Sequence, residues 1–237
     1  MTLKHRIIPT LLFNGDLQCI KPISFGRPYR KLGPMSQYIK VMERRNVDEI
    51  ILLDIEASAE RREPRGEKIR ELTRGLFAPI CYGGGISTLE HIKICLANGA
   101  DKVAIWSGAK IIKEAAEKFG SQAIVGVVTH PNVTAHAAVI SSAMEMLGAG
   151  EILLVDRELD GTTKGYNLDT IKEVSKDISV PLIACGGCGN IAHMHAAIKS
   201  GASAVAAGSM FLYTEITPKM CADVLHGQFR VPVRIHA

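Results

Sequence analysis

Two glycine-rich turns give the first sign of chemistry in this chain. Gly84-Gly85 and Gly186-Gly187 each follow a short apolar run, and the two pairs stand 102 residues apart. Glycines at a strand end let backbone N–H groups approach an anion closely, and the next helix N-terminus adds its dipole. Ser107 completes such a cradle in the first half; Gly208-Ser209 complete its twin in the second, with Gly161 nearby. A single glycine of this kind also serves as a plain tight turn. Two matching sets point to a ligand with a phosphate at each end, or to two separate anions.

Acid–base groups sit beside these turns. Asp54, Asp156 and Asp160 fall at strand ends or in the following loop, and His130 follows an apolar strand. Asp160 and His130 are the candidate catalytic residues, a carboxylate and an imidazole able to exchange a proton near neutral pH. Cys185-x-x-Cys188 has redox or metal spacing but no second pair beside it, so no metal site is expected. His193 and His195 read as surface or capping residues of one helix, and nothing in the sequence calls for a cofactor.

The elements that must position these residues come from an internal repeat. Glu49 to Val103 maps without a gap onto Glu151 to Val205. Ile50-Ile51-Leu52-Leu53-Asp54 meets Ile152-Leu153-Leu154-Val155-Asp156, Pro79 meets Pro181, His91 meets His193, and Gly99-Ala100 meets Gly201-Ala202. Each copy reads as strand, helix, strand, helix, strand. A repeat this long is a half-domain, and two four-strand halves closing on each other make a single (β/α)8 TIM barrel. The half-barrels are expected at about 1–120 and 121–237 of one domain spanning 1–237, and the 237 residues are close to the roughly 250 usual for such a barrel.

Along the chain, strands are expected at Arg6–Leu12, Asp48–Asp54, Pro79–Tyr82, Lys102–Trp106, Ala123–Val128, a run ending in Asp156, Pro181–Cys185 and Ala204–Ala207. Cys19 to Pro34, carrying Lys21, Arg27, Arg30 and Lys31, reads as a long loop over the barrel top. Helices are expected at Met35–Arg45, in a segment ending near Gly75, after a Ser87 or Thr88 cap, and within Thr134–Leu147.

Composition narrows the function. A net charge of +4 suits an anionic small ligand or an acidic partner and is too weak to argue for nucleic acid, and aromatics at 5% leave little on which bases could stack. No apolar run reaches the roughly 18 residues of a membrane span. Met1 to Arg6 runs directly into a strand, leaving no room for a signal peptide, and cysteines within apolar runs suit reduced thiols, so a cytoplasmic protein is expected.

Several motifs resemble the cyclase subunit of imidazole glycerol phosphate synthase, from histidine biosynthesis. Arg6-Ile7-Ile8-Pro9, Leu53-Asp54-Ile55, Gly83-Gly84-Gly85-Ile86 and Gly99-Ala100-Asp101-Lys102-Val103 carry the resemblance. So do Phe119-Gly120-Ser121-Gln122-Ala123, Gly148 to Leu154 and Asp160-Gly161-Thr162. It covers nearly the whole chain. It implies a floor gate of four charges, Arg6, Glu49, Lys102 and Glu151, through which ammonia enters from a glutaminase partner of the class I glutamine amidotransferase type. It also implies that Asp101 faces that partner, that Lys21 is a ligand-binding loop lysine and that Asp160 lies near the substrate.

The same resemblance implies two acid–base aspartates, at the ends of the first and fifth strands. Here those positions hold Leu12 and Thr129, and Trp106 stands where an asparagine is implied after the fourth strand. The cyclase activity is therefore expected to be lost. The Pro9-Thr10-Leu11-Leu12 run and the basic loop resemble a sister group, the glycosyl amidation-associated proteins of surface polysaccharide clusters. That likeness implies a barrel passing ammonia to a separate sugar amidotransferase, which converts an acetamido to an acetamidino group, with a phosphorylated or nucleotide-sugar ligand bound above. The alternative is a divergent cyclase subunit of histidine biosynthesis, with Asp160 or His130 taking over the proton transfers.

Overall fold

The structure, a computed structural model, describes residues 4–22, 28–106, 109–130 and 136–234. The chain opens with β1 (Arg6–Phe13), β2 (Gln18–Lys21), β3 (Arg30–Pro34), α1 (Met35–Glu43) and β4 (Ile50–Asp54). It continues through α2 (Gly66–Thr73), β5 (Ile80–Gly83), α3 (Leu89–Ala97), β6 (Lys102–Ile105) and α4 (Ala109–Phe119). A 3-10 turn, Ser121–Ala123, leads to β7 (Ile124–His130), α5 (Ala137–Met146), β8 (Glu151–Asp156), α6 (Leu168–Asp177) and β9 (Leu182–Cys185). The last elements are α7 (Ile191–Lys199), β10 (Ala204–Ala207), α8 (Ser209–Tyr213) and α9 (Pro218–Gly227).

Strands β4 to β10 pair in parallel in chain order, and β1 joins β4 on one side and β10 on the other. Arg6 to Pro9 against Ala204 to Ala207 closes the (β/α)8 barrel. Alternation along the strands divides the core in two. Ile8, Ile51, Cys81, Val125, Leu153 and Ile183 fill the interior, while Ile7, Leu11, Ile50, Leu52 and Ile152 pack outward beneath the helices.

The 102-residue repeat extends into hydrogen bonds. The Glu43 carboxylate accepts from the N–H groups of Phe77 and Ala78, and its counterpart Glu145 accepts from those of Ser179 and Val180. Thr88 caps α3 through His91 N–H at 3.1 Å, and Asn190 caps α7 through His193 N–H at 2.9 Å. Asp101 accepts from Ile80 N–H and Ser203 from Leu182 N–H. Because capping depends on local spacing, the half-barrel repeat carries these contacts with it.

The structure corrects the reading of Cys19 to Pro34 as a loop. Within its described residues, β2 pairs antiparallel with the end of β1 (Leu12 with Ile20) and with β3 (Lys21 with Arg30). The Asn14 side chain, accepting from the N–H groups of Asp16 and Gln18, turns the chain back on itself. Arg27 lies outside the described residues. Strand β7 continues through Thr129 and His130, two residues beyond the expected end, because both pair with β8 opposite Val155 and Asp156. The helix expected over Thr134–Leu147 runs over Ala137–Met146.

Candidate functional site

The floor of the barrel is a ring of four charges supplied by the starts of β1, β6 and β8 and by Glu49, just before β4. Arg6 contacts Glu49 at 2.7 Å and Glu151 at 3.1 Å, and Lys102 contacts the same two carboxylates at 2.9 and 3.0 Å. The ring is neutral, and each cation bridges both anions. Glu49 is the deepest member, its side chain 3% exposed. Its Oε1 is buried with no hydrogen-bond partner among the described residues. Burial works against the charge on Arg6, but Glu151 and Glu49 outweigh it together and hold the guanidinium more firmly protonated than usual. The thiol of Cys81, in the barrel interior, is pushed well above its ordinary range, chiefly by burial and then by Glu49. Asp101 is exposed at the same end of the barrel, just ahead of β6.

At the opposite end the two glycine cradles differ. The first opens into a cavity of about 180 Å³ whose lining includes Leu53, Gly84, Gly85, Trp106, Thr129 and Arg157. Gly84 has φ +122°, and a Cβ there would strike the Asp54 carbonyl oxygen. Asp54 is fixed below by a bidentate pair with Arg62 at 2.7 and 3.0 Å, and its Oδ1 accepts from Ala57 N–H at 3.2 Å. Those bonds are the largest cause raising the Arg62 pKa. Arg62 escapes a reading of the sequence because its partner lies eight residues back across an irregular turn.

The second cradle is nearly filled. Gly161, Gly186, Gly187, Gly208 and Ser209 surround only about 10 Å³ of space, room for roughly one water. Lys21 occupies the rest: its Nζ lies 3.1 Å from Asp160 Oδ2 and 3.2 Å from Oδ1. A Cβ added at Gly208 would sit 3.6 Å from that ammonium. The hairpin carries Lys21 here, so the structure joins the loop lysine, the acid Asp160 and the second glycine set in one place. Asp156 anchors the neighbouring turn by accepting from Leu159 N–H and Asn167 Nδ2.

Leu12 and Thr129 are 2% and 4% exposed, and each lines one of the two cavities. Neither supplies a carboxylate. Asp54, Asp156 and Asp160 are each engaged by the partners just named. Ser107 and the His130 side chain lie outside the described residues.

His193 accepts through Nδ1 from Gly189 N–H, and His195 stacks on Phe229 with ring centroids 4.2 Å apart. Cys185 and Cys188 are buried, 3.9 Å from Thr10 Oγ1 and 3.6 Å from the Asn190 carbonyl respectively. Burial pushes their thiols up to about 12 and about 11. Among the described residues no group of three His, Cys, Asp or Glu side chains could hold a metal ion, and no helix is long and apolar enough to cross a membrane.

Fold and site together define a closed (β/α)8 barrel with a charged floor and two glycine cradles at the opposite end. The chain belongs to the histidine biosynthesis protein family, which it matches over residues 6–217. It is 36% identical over 231 residues, 89% of this chain and 91% of the relative, to a Pseudomonas aeruginosa protein provisionally named imidazole glycerol phosphate synthase subunit hisF2. It is 35% identical to imidazole glycerol phosphate synthase subunit HisF of Endomicrobium trichonymphae, over 97% of this chain and 95% of that one. HisF of Streptomyces coelicolor is 36% identical, with 91% and 93% covered.

Proposed function

We propose that this chain is a barrel subunit of the imidazole glycerol phosphate synthase type, which docks a glutaminase beneath its floor and takes ammonia through the ring of Arg6, Glu49, Lys102 and Glu151. A phosphorylated ligand binds at the glycine cradles above. The observation that carries this reading is the ring. It is a neutral cluster in which every charge is paired, yet Glu49 Oε1 remains a buried acceptor with no partner among the described residues. A small N–H donor passing the floor would satisfy that oxygen, and the double bridging lets one cation swing aside while the other still holds both carboxylates. The plain alternative for such a ring is a salt cluster that plugs the barrel floor. Asp101, exposed at the same end, suits the glutaminase contact.

Between the two destinations for ammonia, the HisF relatives favour the divergent cyclase of histidine biosynthesis over the sugar amidation placed first from the sequence. In the cyclase reading Asp160, with Lys21 against it, is the acid nearest the second cradle and takes over proton transfer. One observation favours the other reading. Leu12 and Thr129 occupy the two acid–base positions, and the Asp54 and Asp160 carboxylates are each held by a cation. An ammonia-conducting barrel serving a separate sugar amidotransferase needs neither aspartate.

Complementation of a histidine auxotroph lacking its cyclase subunit, supplied with ammonia, separates the two. Growth supports the cyclase. No growth from soluble, folded protein removes it and leaves ammonia delivery to another acceptor.

A further inference from the structure

The 102-residue repeat pairs each residue of one cradle with a counterpart in the other, so its breaks are informative. Gly208 of the second cradle has Trp106 as its counterpart in the first, and Ile55 of the first has Arg157 in the second. The structure brings the two odd residues together. Arg157 lies over the Trp106 indole, 5.5 Å from the ring centroid, and both line the 180 Å³ cavity. They leave β6 and β8 on either side of β7, so the inward curvature of three neighbouring strands makes this contact.

The cavity they border has a distinct chemistry. Leu53, Ala104, Val127 and Val155 give it an apolar floor, while Gly84 and Gly85 sit at one side with positive φ. Trp106, the only tryptophan in the chain, is 52% exposed at the rim. An isolated phosphate gains nothing from an apolar floor or an indole. A ring with an apolar face gains from both, and an anionic substituent on that ring meets the Arg157 guanidinium and the glycine backbone. The volume is about a dozen times the smallest that holds one water, which admits a single ring and its substituents and is too small for an extended ligand.

We propose that the first cradle is a ring-binding subsite, in which Trp106 and Arg157 select a phosphorylated single ring, sugar or heterocycle, over a bare phosphate. This rests on the upper face being the ligand face but not on the fate of the ammonia. A chain that fails to support histidine synthesis can still bind such a ring.

Trp106 is its own reporter. The intact chain is titrated by tryptophan fluorescence and by calorimetry with inorganic phosphate, glucose 6-phosphate and pyridoxine 5′-phosphate, the last two each carrying one ring. Saturable binding of at least one ring phosphate is expected, at least tenfold tighter than inorganic phosphate and accompanied by a shift in Trp106 emission. The preferred ring distinguishes a sugar from a heterocycle. By calorimetry, Arg157→Met and Trp106→Leu should each weaken that binding about tenfold, with far-UV circular dichroism unchanged because both side chains stand at the rim. Equal affinity for inorganic phosphate, ring phosphates that do not bind, or variants that bind as the parent does would each overturn the proposal.

Discussion

Replacing Lys102 with Met tests whether the floor ring is an electrostatic unit. The change removes contacts of 2.9 Å to Glu49 and 3.0 Å to Glu151, leaving two carboxylates to share Arg6. The ring goes from neutral to one net negative charge. Breaking a buried pair by removing one partner costs about 3–5 kcal/mol. Arg6, Lys102 and Glu151 side chains are 12–16% exposed, so solvent relieves part of the imbalance and the loss should fall near the lower limit, about 3 kcal/mol. Adding Glu151→Gln restores neutrality, leaving Arg6 against Glu49. The double variant should therefore be less destabilised than the sum of the two single variants by about 1–2 kcal/mol, a coupling within the range for residues sharing one network. Urea unfolding followed by circular dichroism and by Trp106 fluorescence measures this, with coincident transitions and an unchanged m-value as controls. A loss below about 0.5 kcal/mol for Lys102→Met, or strict additivity, would show that the four charges act as independent surface groups and refute the reasoning.

Further outcomes are expected elsewhere in the barrel. Lys21→Met leaves Asp160 without its cation, so stability should fall by about 3–5 kcal/mol and Lys21→Met/Asp160→Asn should recover part of it. A thermal melt of the three variants checks both. Gly84→Ala places a methyl against the Asp54 carbonyl at φ +122°, and Gly186→Ala does the same against Asp156 at φ +102°. Each should cost more than about 2 kcal/mol in urea unfolding, whereas Gly75→Ala, with open space around it, should cost only the left-handed backbone term of about 1 kcal/mol. Burial raises the Cys19, Cys95 and Cys221 thiols from 9.0 to about 12. Their contribution is fully present below pH 9 and lost as pH rises towards 12, with each thiol adding a slope of about 1.4 kcal/mol per pH unit in that window. Unfolding curves at pH 8 to 11 test this, and flat stability would contradict it.

The resemblance to the cyclase family carried the four ring positions, which local reading of the residues did not connect: Arg6 is 43 residues from Glu49 and 145 from Glu151. The hairpin was hidden because β2 and β3 are only four and five residues long, and their Gly- and Pro-rich surroundings look like loop. Arg157 carried no signal, and Trp106 stood out only as a departure from the family pattern.

What the sequence by itself determined is the repeat and everything local to it. Glycines after the strands and caps at Thr88 and Asn190 depend on spacing within one βα unit, and clamps at Glu43 and Glu145 each reach 34 residues on to the next unit; all recur at 102 residues in the fold as they do in the chain. Only the tertiary structure decided that the two cradles differ. The β1–β2 hairpin swings Lys21 across to Asp160 and fills the second, while the curvature of β6, β7 and β8 sets Trp106 of β6's end beside Arg157 of β8's end and leaves the first open. Register and inward alternation around a closed sheet make those neighbours, and neither is visible in a window of sequence.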